Sequence, residues 1–267
     1  RAAGMMRRAL AEALFVARNR IAFGRRLIEL PVMRRQLMKI MLATEAARSV
    51  MLHTADELHN ADAGDDDARR RTRILTPLIK FRACRDARRA TGDAMEVRGG
   101  CGYIEDWADP RLVRDAHLGS IWEGTSNIVA LDVLRAIRRE GSLAALDKHL
   151  RGLLAETPLH ADARRVYEDT LSRSVARAAA VAEAGASGDA LARQVGSSLY
   201  HLTTSIAMAW EAGGLKSARR MRLAQLVLRQ RVLPQDPLGG DPIEPAWMPA
   251  LLDPTLDDVD VAGVNLF

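Results

Sequence analysis

The sequence predicts an all-α protein, and three observations carry that expectation. Ala, Leu and Arg dominate the chain while aromatic residues make up only 4% of it, a composition of strong helix formers. Apolar residues recur at helical spacing, as in Met5, Met6, Ala9, Leu10, Ala13, Val16 and Ala17. No alternating run of Val, Ile, Thr or Tyr is bounded by hairpin turns. With 267 residues, 48% of them hydrophobic, the chain can bury a sizeable core.

The first helix is expected over 2–21, stopping at Phe23-Gly24, where the glycine terminates it. Pro31 suits the first turn of a second helix running to about Asn60, because its missing N–H has no partner there anyway. The acids of 62–67 form a loop and favour the N-terminus of a third helix, which carries Ile74, Leu78, Cys84, Ala87 and Met95. Pro77 is expected to kink or restart it. Residues 97–127, rich in glycine, read as a long functional loop with a short helix at 110–117. A fourth helix spans 126–139 and completes a bundle. Four further helical stretches follow, near 143–155, 159–184, 188–212 and 215–231.

Charge and cysteine content exclude several classes. Residues 232–267 hold seven acids and no Lys or Arg, against a net charge of +5 overall. The two cysteines, Cys84 and Cys101, cannot build a zinc cluster or a disulfide framework, so a reducing, cytoplasmic setting is expected. No apolar run is long enough for a membrane span. The six histidines never pair at ligand spacing and are read as structural or surface residues, with no metal expected. The chain opens at Arg1 in helical pattern, which reads as a processed start or a piece of a longer protein.

Three short motifs stand in order: Arg20-Ile-Ala-Phe-Gly24, Val97-Arg-Gly-Gly-Cys-Gly-Tyr103 and Ser120-Ile-Trp-Glu-Gly-Thr-Ser-Asn-Ile128. Together, with the intervening helix lengths, they resemble the C-terminal helical domain of the acyl-CoA dehydrogenase family across about residues 1–140. The resemblance implies an oxidoreductase of fatty-acid metabolism that uses FAD to convert acyl-CoA to trans-2-enoyl-CoA. A carboxylate removes the α-proton while the β-hydrogen leaves as hydride. Such a carboxylate needs a dry pocket that raises its pKa towards the working pH. The family motif places it at Glu123.

The same resemblance implies FAD contacts at Arg20, Phe23, Gly99 and Gly100 for a neighbouring subunit's flavin, and at Thr125 and Asn127 for the subunit's own. An arginine fork suits a pyrophosphate. Trp122 and Gly124 are expected to wall the substrate, and Thr125, Ser126 and Asn127 are all good N-caps for the following helix. A homotetramer is implied, with acyl-CoA as substrate and an electron-transfer flavoprotein as one acceptor. Pro31 and Glu96 depart from the family's usual Gln. The family's N-terminal helical and β-domains are not represented in this sequence, so the chain alone is not expected to turn over substrate.

Ordinary members of the family end soon after the fourth helix, whereas about 125 residues follow here. The chain therefore divides on paper into a bundle at 1–140, a helical extension at 141–233 and a Pro-rich acidic tail at 234–267. The extension resembles the AidB branch, the alkylation-response relatives of the isovaleryl enzyme, whose added helices bind duplex DNA. Its arginines, from Arg151 to Arg231, are the alternative's phosphate contacts. Interleaved acids dilute that field, and a solvated Arg-rich face is the plainer reading. A third reading keeps the bundle as scaffold alone.

Overall fold

The computed structural model describes residues 1–236, 238–239 and 243–253. Helix α1 (Ala2–Asn19) buries the predicted stripe of Met6, Ala9, Leu10, Ala13, Val16 and Ala17. It ends two residues earlier than expected, and the chain then forms a hairpin of two-residue strands, β1 (Ile21–Ala22) and β2 (Arg25–Arg26). Phe23 and Gly24 both take positive φ, at 54° and 77°, as the tight two-residue hairpin turn requires. Gly24 therefore serves a β-turn rather than a helix stop. The strands are too short for any alternating pattern to reveal them.

Helix α2 (Pro31–Asp62) begins with Pro31 in its first turn, as read from the sequence. Asp65 then caps α3 (Asp66–Arg98), accepting a bond from the Ala68 amide at 3.0 Å. Helix α3 does not restart at Pro77 but continues through it. A mid-helix proline costs about 3 kcal/mol, and complete burial of Ile74, Leu75 and Leu78 around it offsets that cost. A 3₁₀ turn at Gly99–Tyr103 leads to α4 (Asp109–Gly119), so the expected long loop is largely helical. Helix α5 (Ser126–Glu140) follows.

A single residue, Gly141, in the left-handed conformation at φ 62°, joins α5 to α6 (Ser142–Glu156). Then come α7 (Ala161–Glu183), a 3₁₀ segment at 185–191, α8 (Ala192–Leu215) and α9 (Ala218–Arg231). Helix α3 packs on α1, α2, α4, α5, α6 and α8, and α8 packs on α2, α3, α5, α6, α7 and α9. One hydrophobic cluster runs continuously from Ala3 to Leu252. At the α3–α8 crossing a Cβ added to Gly196 would meet the Phe81 ring at 3.2 Å, so glycine sets how closely the two helices approach.

The acidic tail read from the sequence contains a tenth helix, α10 (Ile243–Leu252). Trp247, Met248, Leu251 and Leu252 are buried in the core cluster, against α2 and α9. Arg219 donates to the Leu251 carbonyl at 2.7 Å and Arg18 to that of Leu252 at 3.4 Å, satisfying carbonyls at the helix end. The apolar pairs at spacing 1, 4 and 5 were present in the sequence but masked by the surrounding prolines and acids. Residues 254–267 of that segment lie outside the described residues.

His201 sits inside α8 at 6% exposure, with Nδ1 unpartnered among the described residues. Burial, with Arg82 and Arg231 nearby, holds its pKa well below the usual 6.5. The folded state thus binds fewer protons than the unfolded one below pH 6.5, so this contribution to stability is full above 6.5 and is lost as pH falls. Thermal melts between pH 7.5 and 5 should show a falling Tm, and His201→Gln should fall less steeply. Equal slopes would show that another group controls the acid limb.

Candidate active site

Lys80, on the first half of α3, reaches across to the segment that joins α4 to α5. Its Nζ donates to the carbonyls of Gly119 at 2.6 Å and Trp122 at 2.9 Å. A Cβ on Gly119 would stand 3.3 Å from the Cys84 sulfur of the same helix, so the segment lies close against α3. Arg1 covers the Trp122 ring at 4.9 Å. The next two residues, Glu123 and Gly124, have φ of 52° and 101°. For a glutamate the left-handed region costs about 1 kcal/mol, and such strain persists where the surroundings hold it.

Glu123 is exposed in this chain, on the wall of an open cleft of about 970 Å³ between the end of α2, the first half of α3, and α5. Pro77, Ile128 and Val129 give the cleft an apolar lining, and Arg73 closes one side by binding Asp132 through both terminal nitrogens, at 3.0 and 2.9 Å. The volume suits a flat aromatic group or an acyl chain. The described residues leave the cleft open to water, so they do not by themselves form the dry pocket expected around the carboxylate.

Thr125 occupies the N-cap of α5, but its side chain makes no capping bond; its carbonyl accepts from the Val129 amide at 3.0 Å. Asn127 is exposed on the first turn, Trp122 is half exposed, and a Cβ on Gly124 would meet Val129 at 3.3 Å. Glu123, Gly124, Trp122, Thr125 and Asn127 therefore share one locality.

The second group of sequence candidates gathers elsewhere. Arg20 donates from Nη1 to the Arg98 carbonyl at 2.9 Å, and a Cβ on Gly99, which has φ 72°, would lie 3.1 Å from that nitrogen. Phe23 projects from the hairpin tip at 92% exposure. From Lys80 to Arg98 is eighteen residues of α3, about 27 Å at the rise of an α-helix, so this group stands far from Glu123.

The glycines of the second motif do different jobs. A Cβ on Gly102 would fall 2.4 Å from the Met95 carbonyl oxygen, whereas one on Gly100 would meet nothing within 4 Å. Gly102→Ala should destabilise the fold by at least about 2 kcal/mol, and Gly100→Ala should leave the melting temperature unchanged. Equal Tm values for the two variants would contradict this division.

Sequence reading missed Arg98, which organises the loop. It is 6% exposed, donates to Asp109 at 2.7 Å and to Glu12 at 2.6 Å, and lies over Trp107 at 4.4 Å. Its position inside the motif, directly before the glycines, was the only signal. A second missed group is His53, Glu57 and His149, whose donor atoms lie within 4.8 Å of one another. Several of the extension's arginines are engaged within the fold: Arg164 bonds the carbonyls of Leu154 and Thr157, Arg220 bonds Glu211 and Glu45, and Arg222 is buried against Trp247. Arg165 and Arg173 are exposed, each paired with an acid one turn away.

Residues 1–138 match the family model described as acyl-CoA dehydrogenase, C-terminal domain. The chain belongs to the acyl-CoA dehydrogenase family. Its relatives include the putative acyl-CoA dehydrogenase AidB of Escherichia coli, 38% identical over 140 residues, which cover 52% of this chain and 25% of that protein. Acyl-CoA dehydrogenase family member 11 of Caenorhabditis elegans is 34% identical over 157 residues, 58% of this chain and 25% of that one. The chain thus spans a quarter of the length of these curated relatives. Among solved structures, Caenorhabditis elegans ACDH-11 in complex with C11-CoA superposes with a TM-score of 0.81 at 24% identity, covering 88% of this chain and 42% of that one. An acyl-CoA dehydrogenase from Bacillus anthracis complexed with FAD gives 0.71 at 15% identity, covering 98% and 52%. At these identities the two structures establish the fold, including much of the extension beyond the bundle. Among the described residues no helix is long and apolar enough to cross a membrane.

Proposed function

We propose that this chain is the C-terminal helical part of an FAD-dependent acyl-CoA dehydrogenase, in which Glu123 removes the α-proton of the substrate thioester. The observation that carries the reading is Glu123 held in a left-handed turn on the wall of the α3–α5 cleft, within the stretch that matches the family. Trp122 and Gly124 border the substrate, and glycine suits position 124 because its φ is 101° and an added Cβ would meet Val129 at 3.3 Å. Docking of the remainder of the protein over the cleft would exclude water and strengthen the electrostatics around the carboxylate.

Arg20, Gly99 and Gly100 fit a dinucleotide by their chemistry: a guanidinium beside two exposed glycines, with the Phe23 ring free alongside. In this reading they hold a neighbouring subunit's cofactor, while Thr125 and Asn127 hold the subunit's own. When bound, FAD supplies the acceptor for the β-hydrogen as hydride. The separation of the two groups along α3 favours sharing of flavin sites in a tetramer, and the exposed Phe15, Ile21, Phe23 and Val32 around the hairpin offer apolar surface for it. The free thiols of Cys84 and Cys101 suit a reducing compartment such as the cytoplasm.

The test is anaerobic addition of saturated acyl-CoAs of graded length to the intact, flavin-loaded protein. Bleaching of the flavin band with formation of trans-2-enoyl-CoA is expected for at least one length. An intact protein that purifies colourless and takes up no FAD would remove this reading.

A further inference from the structure

On α2, His53 and Glu57 stand four residues apart and so share a helix face. His149, on α6, meets them from the extension. Its Nε2 lies 3.0 Å from the His53 Nε2 and 3.4 Å from a Glu57 carboxylate oxygen. All three donor atoms lie within 4.8 Å of one another. A tetrahedral ion with bonds of about 2.0–2.1 Å places its ligand atoms about 3.3–3.4 Å apart. The separations of 3.0 and 3.4 Å lie on either side of that spacing or at its upper edge.

The surroundings meet the other requirements of a metal site. Arg71 Nε donates to the second Glu57 oxygen at 2.5 Å, which fixes the carboxylate and leaves its first oxygen turned to His149. Glu57 is 2% exposed, so its orientation is set by the protein rather than by water. Asp56, Asp65 and Glu211 add negative potential around the two imidazoles, offset in part by Arg71 beside them and by Arg220, which pairs with Glu211. His53 also lines an open cavity of about 970 Å³ beside Asp56, Trp210 and Glu211, which gives an ion a way in and a water a place in the fourth position.

We propose that His53, Glu57 and His149 form a binding site for a divalent transition-metal ion of the zinc class. Two imidazoles and one carboxylate are a borderline nitrogen–oxygen set that prefers Zn²⁺ to Mg²⁺. The ion would tie α2 of the bundle to α6 of the extension. The competing account of the same geometry is a neutral imidazole–imidazole hydrogen bond with no affinity for metal.

Metal-stripped, tag-free intact protein titrated with ZnCl₂ by calorimetry decides between them. One Zn²⁺ per chain is expected, with a higher Tm, while Mg²⁺ at the same concentration has no effect. His53→Gln and His149→Gln, each shown by circular dichroism to be helical, should weaken Zn²⁺ by more than about 100-fold, beyond the usual effect of losing an outer partner. His160→Gln, at an exposed position, should not. Co²⁺ added to the unaltered protein should give the intense visible bands of a tetrahedral ion, a readout that needs no variant. A wild-type affinity no higher than that of the two variants, or a weak octahedral cobalt spectrum, would overturn the proposal.

Discussion

Glu123→Gln in the intact protein is expected to slow acyl-CoA oxidation by about 10²- to 10⁴-fold, the usual worth of a positioned general base. The amide has the size of the carboxylate and the side chain is exposed in this chain, so helical content and flavin uptake should be unchanged. The loss should therefore appear in the rate of flavin bleaching by saturated acyl-CoA, followed by rapid mixing, with little change in substrate affinity. A bleaching rate equal to wild type would show that Glu123 is not the base.

Arg98→Met should strongly destabilise the fold. It leaves Asp109, at 1% exposure, and Glu12 without their shared cation, and breaking a buried pair from one side costs about 3–5 kcal/mol. For a chain of this size that lowers Tm by about 10 °C. Adding Asp109→Asn should recover part of the loss, because the uncompensated charge, not the missing contact, is the larger cost. A single variant that melts within about 2 °C of wild type would contradict the account.

Helices were legible in the sequence wherever burial and periodicity coincide. The stripe on α1, the proline start of α2 and the acidic cap of α3 could all be read directly. Signals were lost where tertiary packing overrides a local rule: Pro77 remains helical because its neighbours are fully buried, and α10 forms because Trp247 and Leu251 find a core that prolines and acids in the sequence conceal. The motif placed Glu123 in its turn, yet nothing in a string of letters could reveal that α3 and α5 stand apart beside it. Likewise His53 and Glu57 were visibly one turn apart, but His149 joins them only through the docking of α6.

Gly196 admits the Phe81 ring, and the residue before Phe81 is the lysine that clasps Gly119 and Trp122. The later helices are thus a foundation under the rod that carries the E-G-T turn, rather than an appendage bolted to its side. Trimming the chain after Gly141 would bare that ring to solvent and let the rod settle differently, so the geometry around Glu123 inherits its accuracy from residues more than seventy positions downstream.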